Sequence, residues 1–91
     1  MYELKITGNF KKGLKRIKKR GYKIELLEEI VEKLRKGEKL PDKYRDHELS
    51  GNHKGYRDCH IEPDWLLIYK IEHMKLILTL VNTGTHSDLS F

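Results

Sequence analysis

The chain has 91 residues, with 19 Lys and Arg against 14 Asp and Glu for a net charge of +5, and only 37% of it is hydrophobic. A chain of this size buries roughly 60–70% of its unfolded surface, enough for one modest core without metal or disulfide staples, so residues 1–91 are read as one domain. No apolar run approaches the ~18 residues of a membrane span, "MYELKITGNF" lacks the pattern of a signal peptide, and the lone Cys59 favours a reducing, cytoplasmic setting.

Residues 2–7, "YELKIT", alternate in polarity and predict a first strand. Gly8-Asn9 opens a helix in which Phe10, Leu14 and Ile17 form one apolar stripe at i, i+4 and i+7. The rest of that helix is basic: Lys11, Lys12, Lys15, Arg16, Lys18, Lys19 and Arg20 fall within ten residues that contain no acid. Such a run is either a solvated face or an electrostatic footprint for a polyanion, nucleic acid or acidic protein. Arg20-Gly21 ends the segment. A second helix follows, with Ile24, Leu27, Ile30, Val31 and Leu34 on one side, acids early and bases late, and Gly37 as its stop. The two are expected to form an antiparallel hairpin.

Residues 38–53 read as a long polar loop with room for a short strand. Strands are predicted over 54–61, 65–72 and 75–82, with turns at Glu62-Pro63-Asp64 and Glu72-His73-Met74, before the tail leaves through Gly84. The order β-α-α-β-β-β predicts an α+β fold in which the N-terminal strand and helix hairpin pack on one face of an antiparallel sheet, leaving the other face free for a ligand.

Of the five histidines, His53 in the loop and His73 in a turn are given no role. His47, His60 and His86 each sit where an element begins or ends, with Asp46, Asp64 or Asp88 nearby. No pair has the short regular spacing of a zinc site. A thiol nucleophile would need Cys59 beside His60, but neighbours in a strand point to opposite faces, and Cys59 reads as core. The third reading is acid–base chemistry on RNA, whose 2′-hydroxyl is the nucleophile. Imidazoles, with an ordinary pKa of ~6.5, suit both proton transfers. Arg57 and nearby lysines such as Lys54 could stabilise charge on phosphorus, and Tyr56, Trp65 or Phe91 could stack an unpaired base. With Cys59 and Ile61 turned to the helices, Lys54, Tyr56, Asp58 and His60 share the free face. The bland counterparts are an edge strand facing solvent and a tryptophan that simply lids the core.

The blocks "YRDHELSGNHKGYRDCHIEPDWLLIYK" and "TGTHSDLSF" resemble the YafQ branch of the RelE superfamily, the mRNA-cleaving toxins of bacterial type II toxin–antitoxin pairs. The match is dense over residues 44–72 and 83–89, and looser before. The resemblance implies a RelE-like, microbial-ribonuclease-like fold with a twisted sheet. It implies ribosome-dependent cleavage of mRNA in the A site with no metal or other cofactor. It places functional positions on His47, His60, Asp64, Trp65 and His86: His86 as general acid, His47 or His60 nearer the 2′-hydroxyl, Trp65 shaping the base pocket. The partners implied are an antitoxin encoded by a neighbouring gene, the ribosome and mRNA, and operator DNA only indirectly through the antitoxin, with no membrane. The basic run would then meet the antitoxin or ribosomal RNA. Two positions depart from the family pattern. Asn82 stands where an arginine is common, shifting phosphate neutralisation to Arg57 or a lysine, and Ser90 intervenes before Phe91. These departures keep a second reading, a non-catalytic RNA-binding or regulatory module of the same fold.

Overall fold

Thr7 shows how the first crossover is built. In the computed structural model, which describes residues 1–89, β1 (Glu3–Ile6) ends one residue before it and α1 (Gly8–Lys19) begins one residue after. The Thr7 hydroxyl accepts from the Phe10 amide at 3.0 Å, capping the helix, and donates to the Val81 carbonyl at 2.6 Å. A second helix, α2 (Ile24–Arg35), follows as the periodicity predicts. The loop then contains 3₁₀ turns at Asp42–Tyr44 and Gly51–His53 around a two-residue strand, β2 (His47–Glu48). The chain continues through β3 (Arg57–Glu62), β4 (Trp65–Glu72), β5 (Ile77–Gly84) and a single-turn helix, α3 (His86–Leu89).

The five strands form one sheet in the order β1-β5-β4-β3-β2. Its neighbours are antiparallel except β1 and β5, which run parallel with Glu3 opposite Ile77 and Ile6 opposite Leu80. The expected antiparallel sheet therefore carries one parallel edge, made possible by the long crossover through both helices. Phe10 and Ile17 of α1, Leu27, Ile30 and Leu34 of α2, and Cys59, Trp65, Leu67, Tyr69, Leu78 and Leu80 of the sheet form the core on the helix side. β4 matches its predicted span. β3 starts later than expected because Gly55 lies at φ +98° and the Tyr56 amide still donates to the His53 carbonyl, so the chain is turning until there. The turn before β5 extends through Leu76, which sits at φ +55°.

A β-bulge decides which face the end of β5 presents. Ile68 lies opposite Asn82 but Tyr69 opposite Leu80, so Val81 is an extra residue, and its carbonyl is the one Thr7 takes up. The bulge reverses the alternation: Leu78 and Leu80 are buried before it and Thr83 after it. Gly13, which only weakens the helical pattern in the sequence, is what lets α1 lie against this strand. A Cβ there would come within 2.2 Å of the Thr83 carbonyl oxygen, whereas one at Gly8 would meet nothing within 4 Å. Gly13→Ala is accordingly expected to cost about 1–3 kcal/mol of stability through overpacking. Gly8→Ala should be neutral or slightly stabilising, and urea unfolding of the two variants checks the contrast.

Candidate active site

The sheet face away from the core collects the expected histidines from three separate elements. Across the strands, His47 is opposite Asp58, Asp58 opposite Ile68 and Ile68 opposite Asn82. A second row runs from His60 to Leu66 to Gly84, beside which α3 begins. The rings of His60 and His86 are 5.6 Å apart between centroids.

Each outer histidine is held through Nδ1. The His47 Nδ1 lies 2.7 Å from the Arg45 carbonyl oxygen, which can only accept, so Nδ1 carries the proton and Nε2 faces Asp58 at 3.8 Å. The His86 Nδ1 lies 2.5 Å from Asp64 Oδ1, and the same oxygen accepts the His86 amide at 2.9 Å. Backbone and ring donation from His86 hold the Asp64 carboxyl below its usual range. Asp64 occupies the two-residue turn between β3 and β4, so a hairpin turn fixes one member of the pair and α3 the other.

Asp58 lies at the centre of this face. It is 5% exposed, and its Oδ1 has no hydrogen-bond partner among the described residues. Burial raises its pKa, opposed by the nearby charges of His47, His60 and His86. The sequence places Asp58 on the free face by strand parity but assigns it no role. Lys70 was likewise passed over: it falls two residues after Ile68 on the same face, with its ammonium 5.7 Å from the Tyr56 ring centroid. Parity in β4 would have found it.

Two expected site residues stand elsewhere. Arg57 lies on the helix side, like Cys59 two positions on, and is engaged by Asp46 at 3.2 Å and by the Tyr69 hydroxyl. Tyr69 in turn donates to Asp46, its phenol pushed up by burial and then by that bond. Arg57 therefore belongs to an internal network rather than to the phosphate. Trp65 is 0% exposed, with its indole N–H donating to Thr83 Oγ1 at 2.9 Å. A ring with no exposed face offers none to a base, so Trp65 supports the site from beneath. Phe91 lies outside the described residues. Lys54 is exposed at the end of the second 3₁₀ turn, and Tyr56 is half-buried before β3. Cys59 is a buried core residue on the face opposite His60, its thiol pushed up by burial, so a Cys59–His60 dyad is absent.

The basic run divides in two. Lys12, Lys15, Arg16 and Lys19 share one exposed stripe of α1. Arg20 instead makes a bidentate bond to Asp88, at 2.7 and 3.1 Å, with Arg16 at 3.9 Å. Asp88 also accepts the Thr85 amide at 2.9 Å, while its own amide donates to Thr85 Oγ1 at 3.3 Å. This reciprocal cap closes the first turn of α3. Arg20, expected at a partner surface, thus anchors the segment that carries His86. His73 also has a place, with its Nδ1 2.8 Å from the Tyr2 hydroxyl.

A mixed sheet backed by two helices, with histidines and carboxylates gathered on its open face, defines a RelE-like α+β protein. The sequence matches, over residues 2–91, the family described as "Bacterial toxin of type II toxin-antitoxin system, YafQ", and the chain belongs to that family. It is 39% identical over 88 residues to the mRNA interferase toxin YafQ of Escherichia coli, covering 96% of this chain and 94% of that protein. Among solved structures, the E. coli DinJ–YafQ complex matches with TM-score 0.90 at 37% identity over 100% of both chains. A metal-bound toxin from Helicobacter pylori matches with TM-score 0.91 at 39% identity over 98% of this chain and 99% of that one. Among the described residues here, no group of three or more His, Cys, Asp or Glu could hold a metal ion, and no helix is long and apolar enough to cross a membrane.

The Asp88 anchor has a pH signature. Arg20, then the Thr85 amide, hold the Asp88 carboxyl well below its usual range. A depressed native pKa contributes stability above the unfolded value of about 3.9 and loses it as pH falls through the native value. The stability difference between the natural chain and Asp88→Asn should therefore be widest near neutral pH and close below about pH 4. Urea titrations at a series of pH values read this directly.

Proposed function

We propose that this toxin-family chain is a ribosome-dependent endoribonuclease that cleaves mRNA in the A site by general acid–base transesterification. The observation that carries the reading is the pair of histidines each anchored through Nδ1, which turns Nε2 of His86 away from Asp64 and Nε2 of His47 toward Asp58 on the open face. A phosphodiester laid across this face would meet His47 or His60 at the 2′-hydroxyl and His86 at the 5′-oxygen. The base removes the 2′-proton, the 2′-oxygen attacks phosphorus, and the 5′-oxygen leaves with a proton from His86, giving a 2′,3′-cyclic phosphate and a 5′-hydroxyl. Asp64 orients His86 and stabilises its cationic form. With Arg57 bound to Asp46 and Asn82 bonded through Oδ1 to the Thr83 amide, phosphate neutralisation falls to Lys70 or Lys54 and to the imidazolium itself. No step requires a metal.

The partner of the basic α1 stripe is an acidic antitoxin or ribosomal RNA, in keeping with the DinJ–YafQ pair of the E. coli relative. The second reading, an RNA-binding module without catalysis, draws on the diversion of Arg57 and on Asn82. RNA that is retained intact rather than cut distinguishes it.

The test is incubation with translating ribosomes and a defined mRNA, followed by mapping of 5′ ends. The protein is stripped with a chelator beforehand, since ribosomes need magnesium. Cutting by the stripped protein is expected, and its loss with recovery on adding back a transition metal would overturn the metal-free mechanism. His86→Ala and His60→Ala should lower cleavage by ~10²–10⁴ while remaining folded; full activity in both sinks the site assignment. Replacing Lys12, Lys15 and Lys19 with Ala should weaken ribosome or antitoxin affinity and leave cleavage at saturation unchanged. Unaltered affinity for both would make the stripe a solvated face.

A further inference from the structure

A cavity of about 450 Å³ adjoins the histidine face, with His60 on its wall. It lies between the 3₁₀ turn at Asp42–Tyr44, the second half of β3 and Leu26 of α2. The pairing of β2 explains why space is open there. β2 pairs with β3 only at Arg57 and Asp58, so from Cys59 to Glu62 the outer edge of β3 has no neighbouring strand among the described residues. Its outward-facing backbone groups are left for something other than a strand to meet.

The opposite wall is chemically distinct. Tyr44 presents an aromatic ring with the Lys43 ammonium 5.0 Å from its centroid, and Arg45 follows. Aromatic rings beside cations recur where unpaired nucleotides are held, the ring stacking the base and the cations attracting the backbone. Here Tyr44 is partly buried against the core, and Lys43 lies over its ring and would swing aside for a base. The volume falls within the ~300–1,000 Å³ typical of small-molecule sites.

Arg45 joins this cavity to the proposed chemistry. It holds the left-handed backbone conformation, φ 49° and ψ 40°, that non-glycine residues seldom adopt. Strain of this kind persists where the surrounding structure imposes it, often at working sites. The conformation aims the Arg45 carbonyl at His47 Nδ1, and the residue also lines the cavity. One residue therefore holds a proposed catalytic histidine by its backbone and stands on the wall of the cavity.

We infer that this cavity is a nucleobase subsite, taking the unpaired base that flanks the scissile phosphate, and that Lys43, Tyr44 and Arg45 set which base is preferred. The inference rests on the ribonuclease reading above for the position of the phosphate. RNA is favoured over an acidic peptide because His60 belongs both to this cavity and to the face where the phosphodiester would lie.

Arg45→Gly is the informative variant, since glycine keeps the left-handed backbone, and with it the carbonyl that holds His47, while removing the guanidinium. Sequencing of cleavage ends from a mixed mRNA pool, with each protein normalised to its own total, reads base preference separately from rate. Arg45→Gly combined with Lys43→Ala is expected to lower the enrichment of the preferred base at one position beside the cut by at least about fivefold. An unchanged base distribution would overturn the inference. A second arm needs no cleavage: a 2′-O-methyl trinucleotide is titrated into the labelled protein and followed by NMR. Shifts clustered at residues 43–45 and 60–62, weakened by Tyr44→Ala, support the subsite. Shifts confined to the α1 lysines, or seen in the cavity with an acidic peptide but not with the trinucleotide, overturn it. Binding in the cavity by a protein that cuts no mRNA would keep the base site and remove the ribonuclease reading.

Discussion

The close seat of α1 on β5 is the constraint from which the rest of the site follows. A bare Cα at Gly13 lets the helix lie against the Thr83 carbonyl. At one end of that seat Thr7 caps the helix and takes up the carbonyl of the bulged Val81. The bulge turns Thr83 inward, where it bonds to both the Trp65 indole and the Leu66 carbonyl. At the other end the same helix delivers Arg20 to Asp88. The helix that presents the basic stripe is therefore also the clamp that fixes the strand end and the short turn bearing His86.

The three aspartates of this region show how environment divides one residue type into different duties. Asp58 is buried and its charged form is disfavoured by desolvation. Asp64 is exposed and its charge is favoured by the amide and ring of His86. Asp88 is held by a guanidinium and a helix cap. Because the Asp64 and His86 side chains are 66% and 58% exposed, their pairing contributes little to stability. What it supplies is orientation. The larger structural contribution comes from the bidentate Arg20–Asp88 pair and from the buried Trp65–Thr83 bond.

Much of this was legible in the chain. The span of β4 follows from its continuous apolar run, the two helices from their stripes, and the place of His60 on the free face from strand parity, with His47 and His86 added by the family resemblance. The side taken by Arg57 is also legible: with Cys59 and Ile61 turned inward, a residue two positions earlier shares their face. Other features had no local signal. The bulge at Val81 is met by a threonine far away in sequence, and Leu76 resets the start of β5 through a positive φ that a leucine does not announce. Trp65 is ambiguous by nature, since its apolar ring suits a core or a base equally until the polar partner of its N–H is known. The burial of Asp58 arises only when residues from β2, β3 and α3 converge.

The parallel pairing of β1 with β5 carries a temporal consequence. β1 finds its partner in β5, the strand farthest from it in sequence, so β1 and the face of α1 stay uncovered until β5 has emerged from the ribosome. Contacts this distant in sequence close slowly compared with local ones. They also bind the fate of the histidine face to the synthesis of β5 and the His86 turn behind it. A nascent or prematurely ended product lacks β5, the seat for α1 and His86 together, so the arrangement assembles late and as one unit.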